Sequence, residues 1–488
     1  MKESTISFSG MGIGHLIRYF SVTFISRFIG VELLGLYAIS TAVTRIMEVL
    51  GKFGLEEAIL KFVSGAESQQ RKKLLIRSAL KMGLISSVIA MLIQIIIANW
   101  LSINIFHETS FLTLIIIVNA LSLPFFILIH ISSFSTQAYK ILKYKIFVSE
   151  ILIPIILLFS MIGLYIFISP EFAIMFPFLF SSIIGLFAIN SSLKKVTNVS
   201  ITSLTAGIFN RDLIAYSVPI MFLSILGTIL HWTDVFMLGY FKDAYTVGLY
   251  HPASRTAGII RIILLSFSGI YAPIMMEMFV KKQIMEMDYI FKLVTRWITT
   301  LSIPFVILIF IYSKKVMLIF GADFVSGYSI LMILVIAAFI QAIFGISGMT
   351  LNMTGFAKLN LMNVFICLSL NIGLNILFIP KMGGFGAAIA TLCTLISISF
   401  IRGIQNWRFL QLNPFSWKLI KPLLAGIIAM LLGYIVKPFI MSFHTIITLI
   451  CATSVIFIIF FLFLWIFNLD EDDIELIKTL YKIKNKFS

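Results

Sequence analysis

Apolar residues run along this chain in blocks of about 20, parted by short polar breaks, from one end to the other. A block of that length is what an α-helix needs to cross a hydrocarbon core about 30 Å thick. The pattern predicts fourteen spans, at 8–28, 33–58, 75–98, 110–134, 146–168, 171–192, 213–240, 246–272, 290–312, 327–347, 358–379, 383–405, 418–436 and 442–467. The predicted fold class is therefore all-α, a polytopic membrane protein. The second span is the least obvious, because Arg45, Glu48 and Lys52 lower its hydropathy. No polar stretch is long enough for a sizeable soluble domain.

Composition agrees with this pattern. Of 488 residues, 60% are hydrophobic and 12% charged, whereas soluble domains run near half apolar and a quarter charged. The net charge of +16 would suit a nucleic-acid binder, but most of the lysines sit in short loops beside apolar spans, as topology determinants do. Nucleic acid is excluded as a partner on that ground. Cys367, Cys393 and Cys451 all fall inside spans, which argues against a disulfide framework or a metal site. Arg18 interrupts the first block where a cleavable signal needs an unbroken apolar core, so that block reads as a retained helix.

Loop charges orient the chain. With a cytoplasmic N-terminus, the inner loops hold Lys61, Arg71–Lys73, Lys140, Lys143, Lys145, Lys194, Lys195, Arg211, Lys281, Lys282, Lys358, Arg402, Arg408, Lys418 and Lys421. The outer loops keep only Lys242, Lys314, Lys315, Lys381 and Lys437. Positive residues favour the cytoplasmic side, so both termini are expected there, in the inner (cytoplasmic) membrane of a bacterium. The tail from Asp470, acidic and then basic, reads as a solvated cytoplasmic helix.

A short repeat divides the chain. Gly35-Leu36-Tyr37 opens the second span and Gly248-Leu249-Tyr250 opens the eighth, each after a short outer linker. The same triplet at the same topological position suggests two parallel six-helix lobes related by an axis along the membrane normal. The expected organisation is a first lobe at 1–192, a cytoplasmic linker at 193–212, a second lobe at 213–407, added helices at 408–467 and a tail at 468–488.

Several segments resemble the polysaccharide repeat-unit flippases, the O-antigen and capsule exporters of the MATE-like multidrug/oligosaccharidyl-lipid/polysaccharide superfamily. Ser26-Arg27-Phe28-Ile29-Gly30 carries the likeness, with Gly35-Leu36-Tyr37 and Gly54-Leu55-Glu56. Tyr216-Ser217-Val218-Pro219, Asp234 and Gly239 continue it. The most specific piece is Asn371-Ile372-Gly373-Leu374-Asn375, running into Ile379-Pro380, Gly383 and Gly386 to Thr391. The resemblance implies two helical bundles around a central cavity that opens alternately to each side. Its implied substrate is a short oligosaccharide on a polyprenyl diphosphate, and fourteen spans suit such flippases better than the usual twelve of drug exporters.

Charge inside the spans points to the same substrate class. Arg77, Lys81, Glu150, Lys292 and Arg296 read as residues of span ends. Six cations remain, Arg18, Arg27, Arg45, Lys52, Arg255 and Arg261, beside two acids, Glu48 and Asp234. Each cation at a bilayer centre costs roughly 2.5–3.5 kcal/mol, so six facing lipid would cost on the order of 15–20 kcal/mol, more than a typical folding stability. Most must face water, pair with an acid or snorkel. Tyr37, Thr41, Arg45, Glu48 and Lys52 share one helix face. Arg18 and Arg45 are the best cavity candidates, Arg27 reads as a snorkelling anchor, and Asp234 is at a depth to pair with Arg255. Arg261 is deeper. Ser21, Thr41, Asn371 and Asn375 are candidates for sugar hydroxyls or for helix–helix contacts.

The expected function is translocation of a polyprenyl-diphosphate-linked oligosaccharide to the outer leaflet by alternating access, for O-antigen or capsule assembly. The candidate substrate-binding set is Arg18, Arg45, Glu48, Lys52, Asp234, Arg255, Arg261, Asn371 and Asn375. Expected partners are that substrate, membrane lipids, a proton or sodium ion at Glu48 or Asp234, and a polysaccharide polymerase with its assembly proteins. No cofactor is called for. The alternatives are an ion-coupled drug or metabolite exporter, a lipid II flippase, and a membrane-embedded polymerase or ligase. The last class carries a large outer loop, whereas outer linkers here reach only about 14 residues, and no nucleophile or metal-ligand spacing appears. His107 and Glu108 read as solvated loop residues.

Overall fold

The computed structural model describes residues 2–467, with side chains from Gly10 onward; the tail from Asp470 lies outside them. The described residues are helical, with no strand among them. The helices are α1 (Lys2–Phe24), α2 (Val31–Lys52), α3 (Leu55–Ser64), α4 (Gln69–Trp100), α5 (Ser110–Ala138), α6 (Ile153–Phe167) and α7 (Pro177–Thr197). They continue as α8 (Arg211–Phe241), α9 (Ala244–Val280), α10 (Ile284–Leu318), α11 (Tyr328–Met353), α12 (Ala357–Leu410), α13 (Ile420–Met441) and α14 (Thr445–Ile466).

Twelve helical segments of the described residues are long and apolar enough to cross a membrane. One of them is α12, whose 54 residues would reach about 81 Å at 1.5 Å per residue, more than twice a hydrocarbon core. It is broken at Gly383, where φ is +56° and ψ −135°, a conformation open to glycine and closed to side chains. Splitting α12 there, and counting α1 with its Arg18, accommodates the fourteen predicted spans. The second span is itself two helices, since Phe53 and Gly54 take left-handed backbone between α2 and α3.

The chain divides into two compact units, Met1–Pro252 with Leu368–Ala387, and Ala253–Cys367 with Ala388–Ser488. In the first, α5 is central and packs on α2, α3, α4 and α7. Leu123, Ile127 and Ile131 of α5 interlock with Ala58 and Ile59 of α3 and with Ile76, Ala79 and Leu80 of α4. Glycines set the spacing: a Cβ on Gly51 would lie 2.3 Å from Ile127 Cδ1, and one on Gly83 2.0 Å from Ile131 Cδ1. Small residues of this kind let membrane helices approach closely, since lipid supplies no hydrophobic drive between them.

In the second unit, α10, α13 and α14 enclose a core of Ile303, Ile307, Ile311, Ala425, Ala429, Ala452, Ile456 and Phe460. A cavity of about 260 Å³ there is lined by Phe344, Phe400, Trp407, Phe415 and neighbouring residues, with no charged side chain among them.

Candidate functional site

Two polar groups lie within the first unit, each built on a local feature of the backbone. The first begins where α1 meets residues 146–152, a π-helical stretch that leads into α6. A π-turn takes in an extra residue and re-aims the side chains on it. Gly10 and Gly14 let α1 lie directly on this stretch, since a Cβ would fall 2.1 Å from Ile146 Cγ2 and 2.3 Å from the Glu150 carbonyl oxygen. One turn further along α1, Arg18 Nη2 donates to Glu150 Oε2 at 2.8 Å and to the Ser149 carbonyl at 3.4 Å.

On α2, Arg45 Nη1 donates to Glu48 Oε2 at 2.6 Å. The other oxygen of Glu48 lies 3.5 Å from Lys52 Nζ and 3.1 Å from His130 Nε2 of α5. Lys52 is also 3.5 Å from Glu56 of α3. Glu48 is buried at 4% exposure, so its carboxylate persists by having cationic donors on both oxygens. Glu150 lies within electrostatic reach of Arg45 and joins the two pairs into one group.

The charge balance differs from the sequence expectation. Arg18, Arg45 and Lys52 are matched by Glu150, Glu48 and Glu56, three cations against three anions. Glu150 had read as a span-end residue; the structure makes it the partner of Arg18. The guanidinium groups nonetheless remain accessible, with 41% of the Arg18 side chain and 40% of the Arg45 side chain exposed.

The second group surrounds Asp234 on α8. Tyr250 Oη donates to Asp234 Oδ2 at 2.5 Å, and Asn375 Nδ2 donates to Oδ1 at 3.0 Å. Asn375 also lies 3.1 Å from Asn371 Oδ1. Both asparagines are buried, so these residues of the resemblance motif act here as donors and acceptors to one another and to a carboxylate. Trp232 and His251 stack beside them with ring centroids 6.4 Å apart. Tyr250 belongs to the repeated Gly-Leu-Tyr triplet; its counterpart Tyr37 stacks on Phe178 at 5.8 Å.

Arg255 and Arg261 are exposed on the part of α9 that belongs to the second unit, and Arg27 is exposed on a π-turn at 25–29. Ser21 bonds to the Ile17 carbonyl of its own helix. Thr41 Oγ1 is buried with no hydrogen-bond partner among the described residues. On the loop after α4, Glu108 accepts from the Ala244 N–H at 2.8 Å, holding the start of α9. Burial pushes its carboxyl up from the ordinary carboxylate value, and Glu32 and Asp243 add to this while the Ala244 bond opposes it.

Sequence reasoning missed Glu150, His130 and Gln94. A Gly10–Gly14 pair four residues apart was a readable signal of close helix packing near Arg18. Gln94 Nε2 donates to Thr44 Oγ1 at 3.1 Å and to the Ile116 carbonyl at 2.9 Å; a single neutral amide in an apolar span gave no signal.

Twelve helical segments of membrane-crossing length among the described residues, an arrangement that accommodates fourteen spans, define a multi-pass membrane protein. Solved structures share the fold. The chain superposes on a structure described as lipid II flippase MurJ in an inward closed conformation, with a TM-score of 0.77 and 16% identity, over 94% of this chain and 98% of that one. It also superposes on an inward-facing multidrug resistance MATE family transporter of the MOP superfamily, with a TM-score of 0.68 and 13% identity, over 84% of this chain and 98% of that one.

Residues 1–279 match the model of the polysaccharide biosynthesis protein family, and the chain belongs to that family. A probable low-salt glycan biosynthesis flippase, Agl15 of Haloferax volcanii, is 26% identical over 251 residues. That alignment covers 50% of this chain and 51% of the relative, so the chain spans about half the length of that curated protein. An uncharacterized membrane protein of Methanocaldococcus jannaschii, MJ1068, is 22% identical over 391 residues, 74% of this chain and 76% of the other.

Proposed function

We propose that the protein is a flippase that carries a polyprenyl-diphosphate-linked oligosaccharide from the cytoplasmic to the outer leaflet, for surface polysaccharide assembly of the O-antigen or capsule kind. The observation that carries this reading is the pair of half-exposed arginines. Arg18 and Arg45 are each anchored on one edge by a carboxylate, at 2.8 and 2.6 Å. A guanidinium has five N–H donors, so an anchored arginine presents the rest in a fixed orientation. A planar fork of this kind matches diphosphate oxygens two at a time. Family membership and the flippase-like fold support the same substrate class.

The proposed cycle is alternating access by two six-helix lobes, 1–192 and 213–407, with 408–467 as added helices. The headgroup enters from the cytoplasm, meets Arg18 and Arg45, and leaves outside while the prenyl tail stays in lipid. Arg255 and Arg261 are proposed to meet the substrate from the second lobe, and Asn371, Asn375 and Asp234 to serve its sugar hydroxyls. Both termini are placed in the cytoplasm by the loop charges, with the chain in the cytoplasmic membrane beside a polysaccharide polymerase. An interior-negative potential favours expelling an anion by about 2.3 kcal/mol per charge per 100 mV.

The test is a double variant, Arg18→Ala with Arg45→Ala, expressed in a strain lacking the native gene. Normal membrane insertion with loss of surface polysaccharide is expected. Wild-type levels of polysaccharide from that variant would overturn the reading.

A further inference from the structure

The ion-pair group around Glu48 holds equal numbers of fixed cations and anions, which is an odd composition for a site that must attract a diphosphate. His130 resolves this. Its Nε2 lies 3.1 Å from Glu48 Oε1, and its side chain is 28% exposed. Imidazole is the side chain whose charge ordinarily changes between pH 5 and 8. With His130 neutral, Arg18, Arg45 and Lys52 balance Glu48, Glu56 and Glu150; with His130 protonated, the group carries one net positive charge.

We propose that His130 is the proton-binding residue of this site, and that a proton on His130 and an anionic headgroup on Arg18 and Arg45 bind cooperatively. The inference rests on the anion-binding reading above and deepens it by naming a proton site beside the anion. Glu48 is the weaker candidate for that proton. Both of its oxygens already accept from cationic donors, so protonation there would displace one of them.

The other charged groups near His130 do not cancel the effect. Beyond Arg45, Glu48 and Lys52 on α2, α3 contributes Glu56 and Glu57, and the segment before α6 contributes Lys145 and Glu150; Glu48 interacts with Arg45, Lys52 and His130, and Lys145 with Glu56, Glu57, Glu150 and Lys52. Lys145 and Glu57 add one charge of each sign. Lys61 of α3 lies over the Tyr216 ring, Lys143 over the Tyr144 ring, and Lys81 of α4 donates to Gly207. Arg77 lies one turn before Lys81, and Lys194 and Lys195 close the last turn of α7. Binding linkage is reciprocal. A proton that strengthens anion binding is itself held more tightly once the anion is bound.

The experiment measures farnesyl diphosphate binding to the full-length protein in zwitterionic nanodiscs at pH 6 and pH 8. One added charge near the site is expected to raise affinity by about tenfold at pH 6 over pH 8, measured relative to His130→Gln so that titration of the diphosphate itself cancels. His130→Lys, with its charge fixed, should bind tightly at both pH values. It also stands in if the glutamine variant fails to fold. A wild-type pH dependence that differs less than twofold from that of His130→Gln, or from that of His130→Lys where the glutamine variant does not fold, overturns the proposal. A steep dependence shared by wild type and His130→Gln also overturns it, while leaving the anion site intact. Absence of binding by the wild type at either pH overturns the anion reading and this inference together.

Discussion

Gly35 and Gly248 stand in reciprocal positions, each pressed against the first turn of the helix that carries the other. A Cβ on Gly35 would lie 1.8 Å from the Ala244 carbonyl oxygen, and one on Gly248 2.0 Å from the Val31 carbonyl oxygen. The repeated triplet is thus also a contact, in which the two copies meet across one helix crossing. Backbone on the far side cannot rotate away as a side chain would. Gly35→Ala and Gly248→Ala are each expected to destabilise the protein by about 1–3 kcal/mol through overpacking. Because both press on one crossing, the double variant should cost less than the sum. Thermal melts of the detergent-solubilised protein check both statements, and additive losses would show that the two glycines act at separate contacts.

Removing the Glu48 charge should cost more than removing an arginine. Glu48→Gln puts a neutral amide at a position only 4% exposed, where Arg45 loses its partner and Lys52 keeps Glu56 alone; breaking a buried pair costs up to about 3–5 kcal/mol, and the half-exposed Arg45 sets this loss toward the lower end. Arg18→Ala breaks a pair whose arginine side chain is 41% exposed, where the stability effect should stay below about 1 kcal/mol. Comparing folded yield and melting temperature of the two variants tests the ranking, and equal losses would contradict it.

At the second group, Tyr250 and Asn375 donate to different oxygens of one carboxylate. Losing either donor leaves Asp234 more dependent on the other. A double-mutant cycle of Tyr250→Phe and Asn375→Ala should therefore show a coupling energy on the order of 0.5–3 kcal/mol. Zero coupling would mean that the two contacts are energetically independent.

Glu108, on the loop between α4 and α5, provides a pH test. The Glu108 carboxyl is raised chiefly by burial and further by Glu32 and Asp243, so the native state binds its proton more tightly than the unfolded chain does. Stability from this group is then fully present below the ordinary carboxylate range and is lost as pH rises through the raised native value. Glu108→Gln can keep the Ala244 acceptor without the charge. The melting temperature of the variant, relative to wild type, should rise as pH goes from 4 to 7; a constant difference would exclude this linkage.

Much of the architecture was legible along the chain because a bilayer imposes a local rule, one apolar block per crossing. Block length identified the all-helical class, with a span count that the twelve membrane-length segments accommodate; the ordered motifs identified the family, and Arg45, Glu48 and Lys52 were correctly placed on one face of α2. The pairing of charges was not legible. Glu150 reaches Arg18 across 132 residues, and Asn375 reaches Asp234 across 141.

The sequence by itself determined that this protein lies in a membrane and that several cations must be sheltered there, since both follow from transfer costs summed residue by residue. Only the tertiary structure decided which acid shelters which cation. That depends on where Gly10 and Gly14 let α1 settle and on how the π-turn aims Glu150. It turned an apparent surplus of positive charge into a balanced group with two accessible guanidinium edges and one histidine, because electrostatic neutralisation acts over ångströms in space and takes no account of distance along the chain.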